Sequence, residues 1–255
     1  MNSKTRHLID IATVLLQKDL KVRYKSTFFG YLWSIGHPLA YALVFFVAFK
    51  VVMRIQIENY ALFLISGLFP WQWLSNSMNA SPAIFLSNWT IIKKINFPRN
   101  MLPFTLVLQD MVHFILSIPV IVLFLVYYGK HPSITWIYGI PLLLIMQFSM
   151  MYGLSLLISS INLFFRDLER LTIIGLTLLF YFTPVIYPET MIPEQFRPLL
   201  MINPFAYLMV NWRNLFLDGS IQPLFLGITA FYSSLILLMG HGVYKRLSWR
   251  FAEVL

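Results

Sequence analysis

The chain has 255 residues, 58% of them hydrophobic and 11% charged, against roughly 45–50% and 25% in ordinary soluble domains. So few charges cannot cover that much apolar surface in water, so lipid must solvate much of the fold, and a single membrane domain over residues 1–255 is the economical reading. The net charge of +9 would suggest nucleic acid in a soluble protein; here the cations gather at one set of loops, as they do when a membrane protein fixes its orientation and meets anionic headgroups, so no nucleic-acid partner is expected.

The first expected element lies within residues 1–27. Leu8, Ile11, Ala12, Leu15, Leu16 and Leu20 recur at helical spacing, with Lys4, Arg6, Lys18 and Lys21 around the stripe. That pattern predicts an amphipathic helix at the cytoplasmic interface, serving either as a surface anchor or as a contact for a partner or lipid headgroup. Residues 28–255 then form the membrane domain. Its apolar runs are Phe28 to Met53, Tyr60 to Leu86, Phe104 to Tyr128, Ile134 to Phe165, Leu171 to Tyr187 and Leu224 to Tyr244. Each can cross a hydrocarbon core of roughly 30 Å as a helix, the fifth barely. The first run is too long for a signal-peptide core and has no small-residue cleavage site behind it. Backbone groups in lipid need internal partners, so the expected fold is an all-α membrane protein with six transmembrane helices.

Charge supports the even number. With six spans, Lys4, Arg6, Lys18, Lys21, Arg23, Lys25, Lys93, Lys94, Arg99, Arg166, Arg170, Lys245, Arg246 and Arg250 fall on one side. Only Lys50, Arg54, Lys130, Arg197 and Arg213 fall on the other, so both termini are expected in the cytoplasm. The run Phe205 to Leu217 could pass for a seventh span, but that would put the basic C-terminus outside. Asn203-Pro204 reads as an N-cap and first helical position, and Asp218-Gly219 as a stop. The segment from Pro188 to Pro223 is therefore expected to form two short helices dipping toward the outer face, the first starting near Pro193. The second carries Arg213, which a lipid-facing helix would tolerate poorly.

Several chemistries are missing. There is no phosphate-cradling G-x-x-x-x-G-K-[ST] loop, so the chain itself should hold no ATP and is not expected to be an enzyme. It has no cysteine, and His7, His37, His113, His131 and His241 lack metal-ligand spacing, so no metal site is expected. Asp110 is the one carboxylate within an expected span, and pairing with Arg99 or Lys94 is its plain reading. Ser75, Asn76, Ser77, Asn79 and Ser81 crowd the second span, where they should face protein or a water-filled path. Aromatic residues make up 17% of the chain. Tyr41, Trp71, Trp73, Tyr181, Phe182 and Tyr187 fit two readings: interface anchors, or a lining on which sugar rings stack.

Five short strings carry a resemblance. They are Arg23-Tyr24-Lys25-Ser26 leading to Gly30-Tyr31-Leu32-Trp33 and Pro38; Lys93-Lys94-Ile95-Asn96-Phe97-Pro98-Arg99 with Pro103; Asn162-Leu163-Phe164-Phe165-Arg166-Asp167; Thr183-Pro184-Val185-Ile186-Tyr187-Pro188; and Asn203-Pro204-Phe205-Ala206 with Arg213. In this order, and on the expected sides, they resemble the permease subunits of type-2 ABC exporters for O-antigen, capsule and teichoic-acid polysaccharides, over nearly the whole chain. Thr27-Phe28-Phe29 is bulkier than the family pattern.

The resemblance implies a homodimer of this subunit with two copies of a separate ATPase that binds ATP and Mg. The cargo it implies is a glycan on a polyprenyl-diphosphate lipid in the inner membrane. It also implies a coupling helix from Trp89 to Arg99, including Lys93, Lys94, Phe97 and Pro98, with Arg166, Asp167, Glu169 and Arg170 as a second ATPase contact. Lys21, Arg23 and Lys25 would meet the lipid diphosphate where the first span begins. The short helices bearing Pro193, Asn203, Pro204 and Arg213 would close a sugar path outside. Export of lipid or drug by the same family stays open, and so do a self-contained glycan flippase and a membrane glycosyltransferase. A proton-driven flippase should carry several intramembrane ionisable groups, and this chain offers little beyond Asp110.

Overall fold

The computed structural model describes residues 3–24, 33–95 and 97–251. Among the described residues every regular element is helical and no strand occurs. Helix α1 (Ser3–Tyr24) is followed by α2 (Trp33–Phe46), which runs on as a π-helical segment, Val47–Val52. Next come α3 (Tyr60–Ala80), two short pieces, α4 (Ile84–Ser87) and α5 (Trp89–Lys94), and the long helices α6 (Met101–Tyr127) and α7 (Trp136–Asn162). Helices α8 (Leu168–Phe182), α9 (Arg197–Ile202), α10 (Pro204–Asp218) and α11 (Pro223–Leu247) complete the chain, and α11 continues through a 3-10 turn to Arg250. By length and composition α6, α7 and α11 with that turn are apolar enough to cross a membrane.

Each expected apolar run is mostly helical where described, with two early stops. The fifth run was expected to reach Tyr187, but α8 ends at Phe182, because Pro184 holds Thr183 in an extended conformation. The second run was expected to reach Leu86, but α3 ends at Ala80, just before Ser81-Pro82. Proline offers no N–H to the helix ladder and crowds the residue before it, so the chain turns there before α4. Helix α3 is the axis of the fold. From Leu62 to Leu74 it is buried on every side, packed against α2, α6, α7, α8 and α10; a helix apolar all round belongs in an interior.

Helices α7 and α11 approach closely at two glycines. A Cβ on Gly240 would collide with the Gly153 carbonyl, and one on Gly153 would sit 2.6 Å from the Ile236 oxygen. Lipid provides no hydrophobic drive between helices, so such small residues let backbones approach and gain dispersion contact instead.

The outer segment holds the two expected helices, of unequal length. The first is a 3-10 turn, Glu194–Phe196, leading into the six-residue α9, whereas α10 has fifteen residues and is buried almost throughout from Phe205 to Phe216. Trp212 is fully buried and donates through Nε1 to Gln147 Oε1 at 2.7 Å, while Gln147 Nε2 donates to Pro70 O at 2.9 Å. This chain of bonds ties α10, α7 and α3 together where an unpaired polar group would be costly.

Candidate functional site

Two surfaces combine exposed candidate side chains with a packed base. The first lies at the end of the bundle holding the α5 loop and the C-terminus. Leu15 of α1, Phe85 of α4, Leu102 of α6, Leu163 after α7 and Phe251 form a small apolar core, with Ile92 and Phe97 packed against it. Lys18 Nζ donates to Asn88 Oδ1 at 3.0 Å, joining α1 to the start of α5. On this base Trp89, Lys93 and Lys94 are exposed, and the Lys93 ammonium lies 4.4 Å above the Trp89 ring. Pro98 is exposed as well. Arg99 Nη1 donates to Ser248 O at 3.2 Å and so fastens the loop to the end of α11. Arg166, Asp167, Glu169 and Arg170 are exposed at the α7–α8 turn, whose Phe164 ring lies 6.5 Å from Phe251. The coupling helix expected from Trp89 to Arg99 is helical only to Lys94; Ile95 is extended, and Phe97, Pro98 and Arg99 follow outside the helix, with Phe97 against the same apolar floor as the α7–α8 turn. Lys21 and Arg23 fall in α1 with side chains outside the described residues, and Lys25 lies outside them altogether.

The second surface is a groove of about 320 Å³ between α2 and α8, floored by α3. His37, Tyr41 and Phe45 of α2 form one wall; Thr177, Phe180 and Tyr181 of α8 form the other. Trp71, Gln72, Ser75, Asn76 and Asn79 face it from α3. Its rings interlock: Phe180 sits 5.4 Å from Trp71 and 5.4 Å from Phe45, and His37 lies 5.0 Å from Tyr41. Of the six candidate path aromatics, Tyr41, Trp71 and Tyr181 therefore line one groove.

The other three are placed elsewhere. Trp73 is buried, stacked 5.6 Å from Phe114 with Nε1 donating to Val107 O at 3.2 Å; two residues on from Trp71, it points to the opposite side of α3 and is a packing residue. Phe182 is exposed outside the groove. Tyr187 donates its hydroxyl to Tyr181 O at 2.7 Å, so it braces the wall from behind.

The polar residues of α3 divide in the same way. Ser77 donates to Asp110 Oδ2 at 2.8 Å, in the buried contact with α6. Ser81 donates to Ser77 O at 2.6 Å and lies 2.7 Å from Ser155 Oγ on α7. These two hold helices together, whereas Gln72, Ser75, Asn76 and Asn79 turn toward the groove. Sequence reasoning missed Gln72, His37, Thr177 and Phe180. The available signal was periodicity, since positions 72, 75, 76 and 79 share one helical face.

Above the groove, the strap from Thr183 to Ile186 is held by side chains. Arg213 Nη2 donates to Pro184 O and Val185 O, each at 2.7 Å, and the guanidinium lies 3.8 Å from the centre of the Phe63 ring. Tyr60 donates its hydroxyl to Ile186 O at 3.0 Å. Asn203 caps α10 by accepting from Phe205 N at 3.0 Å while its Nδ2 donates to Thr183 Oγ1 at 2.9 Å, and Pro204 occupies the first helical position. Gly67 makes the room: a Cβ there would approach Arg213 Nη2 to 2.9 Å. Pro193 is exposed ahead of the 3-10 turn, outside this lock.

Residues 12–217, running from within α1 through nearly all of α10, match the sequence signature of the family described as ABC-2 type transporter. This chain belongs to the ABC-2 type transporter family. It is 45% identical over 249 residues to the O-antigen export system permease protein RfbA of Klebsiella pneumoniae, covering 98% of this chain and 96% of that one. It is 31% identical to the O-antigen export system permease protein RfbA of Myxococcus xanthus, covering 94% and 93%. It is 22% identical to the polysialic acid transport protein KpsM of Escherichia coli, covering 91% of each. The ABC-2 match takes in the contact loops, the groove and the strap, so all three belong to the family's own region of the chain.

Proposed function

We propose that this chain is the membrane-spanning subunit of an ATP-driven exporter that moves polyprenyl-diphosphate-linked polysaccharide of the O-antigen type from the cytoplasm to the periplasm. The observation that carries the reading is the 45% identity, across nearly all of both chains, to a permease named for O-antigen export. In this account α2 with its π segment, α3, α6, α7, α8 and α11 are six spans of an inner-membrane protein with both termini cytoplasmic. The basic α5 loop, the α7–α8 turn and the basic end of α11 support that orientation.

Two copies form a homodimer, and each meets one of two ATPase subunits that bind ATP and Mg. The exposed loop of Trp89, Lys93, Lys94, Phe97, Pro98 and Arg99 is the coupling segment, and Arg166, Asp167, Glu169 and Arg170 make the second contact. The ATPase biases the subunit only through a difference in contact free energy between closed and open states. A loop seated on a shared apolar floor with α1 and the C-terminus suits that task, because a push on it moves several elements together. Lys21, Arg23 and Lys25 receive the lipid diphosphate, a guanidinium binding its oxygens bidentately and an ammonium as a point charge. Tyr41, Trp71 and Tyr181 line the sugar path, with Phe182 and Tyr187 beside it. Helices α9 and α10, with Pro193, Asn203, Pro204 and Arg213, close the outer end.

The test is complementation of a strain lacking its own polysaccharide exporter. Surface polysaccharide is expected to return only when this chain is supplied with its ATPase, and the ATPase should copurify with it. Export without an ATPase, or robust ATP hydrolysis by the purified chain alone, would overturn the proposal. In the same strain Lys93→Glu/Lys94→Glu is expected to lower surface polysaccharide at least tenfold, roughly the effect of turning two attractive charge contacts into repulsive ones, with membrane yield unchanged. Normal export by that variant would leave the two lysines with orientation as their only role.

A further inference from the structure

We infer that the polar stripe of α3, formed by Gln72, Ser75, Asn76 and Asn79, is the recognition face for an uncharged sugar chain. The inference rests on the function proposed above and assigns the ligand chemistry of the groove. The four positions follow the i, i+3, i+4, i+7 pattern of one helical face and cover about 10 Å along the axis. All four line the groove, opposite walls that present Tyr41 and Tyr181, each about half exposed.

Primary amides both donate and accept hydrogen bonds, as the hydroxyl groups of a sugar do. Aromatic rings take the apolar C–H face of a pyranose, so the two kinds of surface match the two faces of one ligand. Gln72 is 9% exposed, and its Oε1 has no hydrogen-bond partner. A buried acceptor without a partner beside a groove is a place where water or a ligand hydroxyl can donate. Asn79 Nδ2 reaches Ser75 Oγ at 3.2 Å, a contact within the stripe that a competing hydroxyl can exchange.

Charge narrows the ligand further. Among the described residues that line the groove there is no Asp, Glu, Lys or Arg. A carboxylate or phosphate entering it would give up water and meet no permanently charged cation, His37 being the one lining side chain that can become cationic, so an anion fits poorly. The groove therefore suits the neutral part of the cargo, and the diphosphate must be met elsewhere. Weak, repeated contacts also suit a polymer that has to slide, because no single repeat is held firmly.

The test uses the complementation strain with this chain and its ATPase, exporting an O-polysaccharide whose repeats carry no charge. Gln72→Leu/Asn76→Leu keeps volume but removes the amides. It is expected to lower surface polysaccharide roughly tenfold or more, the effect of losing two to three hydrogen bonds, with complex yield unchanged. A photo-crosslinking amino acid at Asn76 is expected to capture the polysaccharide, and the same group at Leu123, exposed on α6, is not. If the unaltered chain restores no polysaccharide, the function proposed above fails and this inference with it. If it does restore export, the stripe is overturned by export within twofold from the Leu pair, or by crosslinks from position 76 that reach only a second copy of the chain or phospholipid.

Discussion

Replacing Arg213 with Met is expected to lower the stability of the subunit by roughly 3 kcal/mol. Two effects oppose each other. Met removes a buried cation whose Nε and Nη1 have no partner, and exchanging a buried charge for an apolar side chain of similar volume is often neutral or stabilising. Against this, Pro184 O and Val185 O lose the donor that serves them both, and each orphaned buried acceptor costs about 1–3 kcal/mol. The contact with the Phe63 face, worth up to about 2 kcal/mol in a desolvated setting, is lost as well. The second group of terms is larger, so the strap should loosen.

Because a single nitrogen makes both bonds, Arg213→Lys should keep part of the clamp and melt between the other two. Thermal melting of the detergent-solubilised protein would show the order, with the Met variant lower by about 10 °C. A Met variant that melts at or above the unaltered chain would mean that burial of the cation outweighs its bonds, and that Arg213 is not the clamp. Gly67→Ala offers an independent approach to the same point, since its Cβ would press on Arg213 Nη2 and on Val185 O at 3.1 Å.

Gly240→Leu is expected to do more damage, destabilising the bundle by roughly 3 kcal/mol or more and cutting the yield of folded subunit at least tenfold. At most core positions a larger side chain can be met by a rotamer change nearby. Here the obstacle is the Gly153 backbone carbonyl, which cannot turn aside, so α7 and α11 would have to separate along a long contact. Gly242 is the control, because a Cβ there meets nothing within 4 Å. Membrane yield and size-exclusion profiles of Gly240→Leu and Gly242→Leu should therefore diverge. Equal behaviour would show that the tight crossing at Gly153 and Gly240 is not required.

The same pair shows where one-dimensional reading stops. Gly153 and Gly240 lie in apolar runs that were recognised as helices, yet nothing in either run says that the two meet. In water an amphipathic stripe points a helix toward its core. In lipid both the protein-facing and the lipid-facing sides are apolar, so the stripe is missing and the partner face goes unmarked. The candidate site was legible to a similar extent. The loop around Lys93 and Lys94 stood out by its charge, and Asn203-Pro204 by its capping pattern, now seen as the Phe205 N to Asn203 Oδ1 bond. Trp71 and Trp73 look alike in the sequence, being the same residue two positions apart, although one lines the groove and the other packs against α6.

By itself the sequence determined that lipid is the solvent, that the backbone is helical, and where the basic loops lie. These follow from composition and from length measured against a bilayer, which act on each segment independently. Only the tertiary structure decided the roles of faces. It turned Ser77 and Ser81 inward to hold α6 and α7, and Gln72, Ser75, Asn76 and Asn79 outward to the groove. It buried α10 and led Arg213 to the strap carbonyls, and it set the α5 loop on a floor shared with α1 and Phe251. Each of these depends on pairs far apart in the chain, whose energy exists only when the partner is in place, so no local pattern could carry it.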